Sequence, residues 1–554
     1  MILIPVTRRY FLILFSLISM DGFGQISADT QRALQAVRPD AIESTMNFLA
    51  NDQVEGRQPG TKGFATASQY VQSQFKALGL QPPGQDNEYV QRVVLKKGVV
   101  DKNSSTFVLR NINAKEWSYG NEFVFSPYKI REQSEVAAPL VFVGFGISAP
   151  ELGYDDYKGI DAKGKIVVLF DQAPDIFGTN ERAYFSSANV KYQEAVKRGA
   201  VGVVTLNMSR RTSWNAIVRR NAQGAFKWVD TQGNPHNSFE ELKVIASINP
   251  GHQEVLFSRS GKKLGEVYNL LKSGKTGSFS LNIDAELKIT TKYSVVESSN
   301  LIGVIPGSDP VLKDEFIVYV AHLDHFGIGS PVKGDSIYNG AHDNASGVAI
   351  VLEIARAFRA LPVAPKRSIA IAVVTGEESG LLGSDYFASN PTVKGTIVAN
   401  LTIDMPFFFH PVLDIVPYGA QHSSLSNGVT AATKILNLKI SPDPFPEQVI
   451  FIRSDHFSFV KKGIPALFIK SGFMTVPSDT VNRAKSDVAW RTTTYHTPQD
   501  DMRQAFNFGG AVTHAQVNFL IGLMTANDPI KPRWNKGDFF GERFGQKQSS
   551  SKNP

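Results

Sequence analysis

The sequence predicts an α/β protein with a mostly parallel sheet covered by helices on both faces, interrupted by an inserted β-rich domain. Over residues 291–528, short apolar segments rich in Val and Ile alternate with amphipathic segments, a pattern typical of parallel strands joined by helices. Residues 136–290 carry a separate series of strand and helix patterns. The chain has 554 residues and is 42% hydrophobic, which is enough to bury the cores of two or three folding units.

The first 24 residues have the pattern of a cleaved signal peptide. Two arginines precede an apolar run from Tyr10 to Met20, and Gly22 and Gly24 follow at the spacing that a signal peptidase accepts. The run is shorter than the roughly 20 residues that span a bilayer. We therefore expect an exported protein, periplasmic or secreted, that has no stable membrane insertion after cleavage.

Residues 25–135 are interpreted as the N-terminal part of the catalytic domain, because helical periodicity to about Leu80 is followed by short β-like segments. Residues 136–290 then form the insertion, with strands such as GKIVVLFD and the helix KYQEAVKRGA. Residues 291–528 complete the catalytic domain. Residues 529–554 are polar and contain glycine, so they are predicted to form a mobile tail.

Composition excludes several kinds of site and partner. The chain has no cysteine, which excludes disulfides, thiolate zinc sites and a cysteine nucleophile, so any metal must be held by His and carboxylates. The formal net charge is +7, but basic residues are mixed with acids and form no long run of the kind that binds nucleic acid. We therefore expect no nucleic-acid partner, while the oligomeric state is left open.

Five potential metal ligands lie where an α/β sheet would bring them together, because most of them end or follow predicted strands and ligands collect outside the carboxyl ends of such strands. They are His322, Asp343, Glu378, Asp404 and His496. The set describes two zinc ions that share one carboxylate, since it exceeds what one tetrahedral site needs. Asp343 is the candidate bridge, because a carboxylate just before a helix is held rigidly. Each of these residues taken alone is more typical of a structural role. Their occurrence together favours a metal site.

Two further acids complete the predicted chemistry. Glu377 and Glu378 are adjacent after the strand IAIAVVT, so their carboxylates point in different directions and one can bind metal while the other accepts a proton from water. Asp324 lies two residues after His322 and is predicted to hold the second N–H of that imidazole.

These segments resemble the M28 family of zinc peptidases, and the insertion resembles a protease-associated (PA) domain. The resemblance rests on VEGRQPGTKG, AHLDHFG, HDNASG, GEESGLLGS, RSDHFSFVKKGIPALF and YHTPQDD. It implies that the five ligands bind two zinc ions per chain, that Asp343 bridges them, that Glu377 is the general base and that Tyr495 stabilises the oxyanion. It also implies a peptide substrate and an exopeptidase, with an aminopeptidase that uses a metal-bridging hydroxide as the first choice.

Some residues depart from the family pattern or are left undecided. His342 stands where many relatives carry a small or acidic residue and is interpreted as lying beside the site. Asp404 is followed by MPFFFHP, so Phe407–Phe409 are candidates for an apolar specificity pocket. The sequence leaves open whether His325 and Arg453 contact substrate.

Three alternative functions stay open at this stage. A carboxypeptidase would need a cationic clamp for the substrate carboxylate, and Arg453 is the one obvious cation near the predicted site. A glutaminyl-cyclase-like enzyme or another amide hydrolase could use the same fold. A non-catalytic binding protein is disfavoured, because all five ligands and the predicted base are present.

Overall fold

The computed structural model describes residues 26–84, 88–112, 116–127, 130–208 and 213–545. The predicted signal peptide lies outside these residues. Within them, no helix combines the length and the apolar character that crossing a bilayer requires. The chain folds into two lobes, a catalytic lobe formed by residues 26–100 and 291–545, and a second lobe formed by residues 101–290.

The helical lead-in and the insertion contain the following elements. They are α1 (Ala28–Gln35), α2 (Pro39–Leu49), α3 (Lys62–Ala77), β1 (Val90–Val100), β2 (Thr106–Arg110), β3 (Phe123–Phe125), β4 (Gln133–Phe142), β5 (Ser148–Ala149), β6 (Tyr154–Asp155), β7 (Ile166–Phe170), α4 (Thr179–Phe185), α5 (Ala188–Lys197), β8 (Gly202–Leu206), α6 (Trp214–Ala222), β9 (Ala225–Trp228), β10 (Val244–Ile248) and α7 (Leu264–Lys272).

The long strand β11 (Phe279–Ile305) then leads back into the catalytic lobe. The remaining elements are β12 (Glu315–His322), β13 (Gly327–Val332), β14 (Asp335–Tyr338), α8 (Ser346–Arg359), β15 (Ser368–Val374), α9 (Leu382–Ser389), β16 (Thr396–Thr402), β17 (Asp414–Tyr418), α10 (Leu425–Ile435), β18 (Lys439–Ile440), α11 (His456–Val460), β19 (Ala466–Ser471), α12 (Arg483–Thr493), α13 (Phe508–Asn527) and α14 (Phe539–Phe544).

The catalytic sheet has the order β18-β17-β19-β16-β12-β15-β11-β1. Its centre is parallel, since β12 pairs in parallel with β15 and β16, and β16 pairs in parallel with β19. Strands β11 and β17 are antiparallel to their neighbours β15 and β19. Helices α2, α8 and α13 cover one face, and α9 and α11 contribute buried side chains to the core on the other. The predicted fold class is therefore confirmed.

The second lobe has its own apolar cores, and its strands continue the catalytic sheet through the shared strand β11. Strands β4, β7, β8 and β10 run in parallel, and β11 closes the sheet antiparallel to β4. The predicted start of the insertion at residue 136 is too late, because β2 pairs with β11 and β3 pairs with β10. The sequence of a short strand between polar turns does not indicate which sheet the strand joins. The likeness to a PA domain stays a prediction.

The predicted mobile tail from residue 529 is wrong as far as residue 545. Phe540 on α14 is fully buried, and Asp538 lies 2.6 Å from the imidazole of His422. The indole N–H of Trp534 donates to the backbone oxygen of Gly463 over 2.8 Å. Aromatic residues within this polar segment therefore anchor it to the rest of the protein. The average composition of the segment does not reveal them. Residues 546–554 lie outside the described residues.

Candidate metal centre

The carboxyl ends of three parallel strands position most of the predicted ligands. His322 is the last residue of β12, Glu378 follows β15, and Asp404 follows β16. The register pairs His322 with Val374 and Val320 with Thr402, so these strands end at nearly the same level. Asp343 comes from the turn before α8, and His496 from the loop after α12.

Four of the five predicted ligands form two groups around Asp343, and His325 joins one of these groups. The ligand atoms of His322, Asp343 and Asp404 lie within 4.8 Å of one another, as do those of His325, Asp343 and Glu378. Asp343 Oδ1 lies 3.2 Å from Nε2 of His322, while Oδ2 lies 3.1 Å from Nε2 of His496. The two oxygens of one carboxylate therefore face two different groups, which is the arrangement that a bridging ligand needs.

The donor set fits zinc. The buried Nε2 atoms of His322, His325 and His496 make no hydrogen bond of acceptable geometry within the described part of the chain. Carboxylate oxygens nevertheless lie 3.1 and 3.2 Å from Nε2 of His496, on Asp343 and Glu378 respectively. Ligands at about 2 Å from a tetrahedral zinc are separated by roughly 3.3 Å. Nitrogen and oxygen atoms at these separations thus match the spacing of ligands on a shared ion.

His325 is part of the centre, although the sequence left its role undecided. Its Nδ1 lies 2.7 Å from Oε1 of Glu378, and the imidazole is buried. This contact fixes the orientation of the Glu378 carboxylate, whose other oxygen lies 3.2 Å from His496. The available signal was the second histidine in AHLDHFG, three residues after the predicted ligand His322.

Asp324 has a role that the sequence did not predict. Its carboxylate accepts the backbone N–H groups of Glu377, over 3.0 Å, and Glu378, over 3.3 Å. Nδ1 of His322 is closer to the Asp324 backbone oxygen, at 3.1 Å, than to its carboxylate, at 3.9 Å. Burial raises the pKa of Asp324 to about 6. The residue therefore anchors the loop that carries the two glutamates.

Asp500 performs the same task for the loop that carries Asp343, and sequence reasoning missed it. The backbone N–H groups of His342 and Asp343 each donate to one of its carboxylate oxygens over 2.9 Å. The side chain of Gln504 donates to Oδ1 of Asp500 over 2.7 Å. The one indication in the sequence was the position of Asp500 in YHTPQDD, four residues after the predicted ligand His496.

Arg57 is a second missed residue, and it lies beneath the centre as a fully buried cation. Its Nε donates to the backbone oxygen of Leu323 over 2.7 Å, and Nη2 donates to that of Gly340 over 2.9 Å. Burial lowers the pKa of Arg57 to about 10, although the charges of Asp500 and Asp324 oppose this shift. The guanidinium stays charged at neutral pH and joins the lead-in to both ligand loops.

Glu377, the predicted base, lies in an environment that favours its protonated form. Burial raises the pKa of Glu377 well above its usual range, and the negative charges of Asp404 and Glu378 add to the shift. Asp455 contributes as well, and its own pKa is raised by burial to about 7. Asp404 is fixed by the Ser454 hydroxyl, which donates to Oδ2 over 2.6 Å.

Tyr495 lies at the centre, since its ring stacks on that of His496 with the centroids 3.6 Å apart.

His342 lies beside the centre, in the core, as the sequence interpretation held. Five aromatic rings lie 4.9 to 6.1 Å from its imidazole, those of Phe407, Phe408, Phe409, Trp490 and Phe506. Burial, aided by the charge of Lys470, lowers the pKa of His342 well below its usual range.

The predicted specificity pocket is wrong for two of its three residues. Phe407 is 4% exposed and Phe408 is fully buried, because both pack around His342. Phe409 is partly exposed. Arg453 is exposed, and its charge opposes the rise in the pKa of Tyr495 that burial causes.

Known proteins match the chain in sequence and in fold. Residues 300–519 match the model of Peptidase family M28. Aminopeptidase NAALADL1 of Mus musculus is 30% identical over 143 residues, which is 25% of this chain and 17% of that protein. Leupeptin-inactivating enzyme 1 of Streptomyces exfoliatus is 27% identical over 311 residues, 53% of this chain and 61% of that enzyme. The chain thus spans less than two thirds of either relative.

One solved structure shares the overall fold. The aminopeptidase from Aneurinibacillus sp. strain AM-1 superposes with a TM-score of 0.53 at 20% identity, covering 91% of this chain and 98% of that one. At this identity the likeness describes the fold.

Proposed function

We propose that this chain, whose residues 300–519 match the model of Peptidase family M28, is an exported aminopeptidase with two zinc ions. The observation that carries the proposal is the pair of ligand groups that share Asp343. Export is proposed from the signal-peptide pattern of the first 24 residues.

Each zinc ion has a proposed set of ligands. His322, Asp343 and Asp404 hold one ion, and Asp343, Glu378 and His496 hold the other. His496 is preferred to His325 as a ligand, because its Nε2 faces carboxylates of both Asp343 and Glu378, whereas His325 Nδ1 is engaged with Glu378. Bound zinc supplies Lewis acidity that polarises the peptide carbonyl and lowers the pKa of water.

Glu377 is proposed to move the proton. The carboxylate accepts a proton from the attacking water and returns it to the amine that leaves, so its affinity for protons must be high. Although burial and the neighbouring acids raise the pKa of Glu377, two bound cations beside it would favour the carboxylate form that accepts a proton. The carboxylate of Asp324 accepts the backbone N–H of Glu377 and so fixes the backbone from which the Glu377 side chain extends.

Tyr495 is proposed to stabilise the negative charge that develops on the carbonyl oxygen. Stacking on His496 fixes the position of its ring. The free α-amine of the substrate is proposed to pair with the acids of the centre. The partly exposed rings of Phe409 and Trp490 favour an apolar first residue, since they supply apolar area without a charged partner.

Hydrolysis of leucine p-nitroanilide by the zinc-loaded protein tests this function, with the N-acetylated compound as the matched control. We expect the free amine to be required and a chelator to abolish hydrolysis. Faster cleavage of N-acylated peptides that end in an acidic residue, lost in Arg453→Ala, would contradict the aminopeptidase and favour the carboxypeptidase.

A further inference from the structure

We propose that the second lobe completes the substrate site with a carboxylate-binding subsite, in which Arg220 binds the free carboxyl end of a short peptide. The proposal rests on the proposed aminopeptidase function and names the substrate class that the site favours. It assigns a recognition role to the second lobe.

A small cavity lies where the two lobes meet. Its volume is about 80 Å³, and its catalytic-lobe wall includes His325, Phe326 and Glu378. Arg220 and Gln223 belong to the opposite wall, which the second lobe provides. His325 and Glu378 are members of one ligand group around Asp343, so the cavity adjoins that half of the metal centre.

Arg220 brings a positive charge to this cavity. Its Nη2 lies 3.4 Å from the backbone oxygen of Glu378, a long contact that leaves most donors of the guanidinium available. Arg219 and Arg220 are exposed, and neither forms an ion pair with any residue that the structure describes. Helix α6, which carries both, contains no acid. A guanidinium without an ion-pair partner can bind a carboxylate through two parallel hydrogen bonds.

The dimensions point to the carboxyl end of a short substrate. In a dipeptide, one residue separates the cleaved carbonyl from the terminal carboxylate, and consecutive Cα atoms are about 3.8 Å apart. Glu378 contacts His496 through its carboxylate and Arg220 through its backbone oxygen, so the guanidinium lies about one side chain from the proposed zinc ligands. A cavity of about 80 Å³ holds two or three waters at roughly 30 Å³ each, which leaves room for one small residue.

Two peptides that differ in one group test the subsite. Leu-Gly ends in a carboxylate, whereas Leu-Gly-amide has the same residues without that charge. For the wild type we expect kcat/KM to be about tenfold higher for Leu-Gly. Arg220→Ala should remove this preference, mainly through KM, and leave Leu-Gly-amide and leucine p-nitroanilide within about twofold of the wild type. Arg220→Lys should restore part of it, because a lysine keeps the charge without the fork.

Salt provides a second readout, since an exposed ion pair is screened. The wild-type preference for Leu-Gly should shrink when salt is raised from about 0.05 to about 0.5 M, where the screening length falls several-fold. The control is Lys163→Ala, which removes an exposed charge of the same lobe away from the cavity lining. It should keep both the preference and its salt dependence.

Three results would overturn the proposal. Equal losses on Leu-Gly and Leu-Gly-amide in Arg220→Ala would show a structural role, and an unchanged preference would show that Arg220 does not contact the carboxylate. In both cases hydrolysis of leucine p-nitroanilide by the wild type would still support the aminopeptidase. A zinc-loaded wild type that hydrolyses none of the three substrates would contradict the proposed function and the subsite together.

Discussion

Buried charged side chains cluster in both lobes, and the two clusters are built differently. In the second lobe, Asp156 accepts the backbone N–H groups of Phe145, over 2.9 Å, and Ile147, over 3.1 Å, and the hydroxyl of Tyr154 over 2.8 Å. In the metal centre the charged groups of His322, Asp343, Glu378, Asp404 and His496 converge on one another.

The hydrogen-bond partners of the buried nitrogen atoms show the same contrast. Lys191 in the second lobe donates to the backbone oxygens of Phe145 and Gln172, at 2.5 and 2.6 Å. The Nε2 atoms of His322, His325 and His496 in the metal centre make no hydrogen bond of acceptable geometry with the described residues. A buried charge that the backbone satisfies stabilises a fold, whereas buried groups that face each other without partners indicate a ligand.

Asp343→Asn tests whether the buried groups of the metal centre bind zinc, and it should change zinc content and activity more than any other variant. Because both ligand groups include Asp343, we expect the variant to lose both zinc ions and all measurable peptidase activity. Burial alone would raise the pKa of Asp343, but His322 and His496 hold it well below its usual range, so the metal-free variant should be less stable than the metal-free wild type. Elemental analysis and urea unfolding measure the two effects. Retention of one tightly bound zinc would contradict the shared role of Asp343.

Glu377→Gln should lower turnover by at least about a hundredfold, because a general base commonly contributes 10²- to 10⁴-fold. Zinc content should be unchanged. Glu378→Gln is the matched variant on the next residue, and it should lose zinc, since its carboxylate faces His496. If the two variants show the opposite pattern, the assignments of base and ligand must be exchanged.

Asp156→Ala tests the other half of the comparison. We expect the second lobe to lose about 3 to 5 kcal/mol of stability, because two buried backbone N–H groups and the hydroxyl of Tyr154 lose their acceptor. Zinc content should equal that of the wild type. Thermal unfolding followed by near-ultraviolet circular dichroism measures the loss, and a lower zinc content in the folded protein would contradict the separation of the two clusters.

Asp385→Asn should reduce stability at the contact between the lobes, by less than Asp156→Ala reduces the stability of the second lobe. The carboxylate of Asp385 accepts the indole N–H of Trp228 over 2.9 Å and lies 3.2 Å from His236 and 2.8 Å from Lys461. Burial alone would raise the pKa of Asp385, but His236 and Lys461 hold it well below its usual range. We expect a loss of about 2 kcal/mol at pH 7.

The sign of this effect predicts its pH dependence. A carboxyl group whose pKa is lower in the folded state stabilises the fold above its unfolded pKa, here 3.8, and this contribution is lost as the pH falls through the folded value. The difference between wild type and Asp385→Asn should therefore be constant from pH 7 to about 5 and shrink below 3.8. Urea unfolding across this range measures it, and a difference that grows in acid would contradict the assignment.

The sequence predicts the catalytic sheet and three of the ligands from a local pattern, because His322, Glu378 and Asp404 end or follow apolar strands. It does not predict Arg57, which lies more than 260 residues from Leu323 along the chain yet donates to its backbone oxygen. Asp500 and Asp324 act through backbone N–H groups, and such bonds impose no residue pattern on their partners. The tertiary packing of Phe407 and Phe408 around His342 is equally invisible in the sequence, where three aromatics resemble a pocket.

The metal content of the purified protein tests the central claim most directly. Elemental analysis of the mature chain after dialysis should give two zinc ions per chain, and activity on leucine p-nitroanilide should rise with zinc added to chelated protein until both sites are filled. A fully active protein that holds one ion, or an active protein with none, would contradict the account.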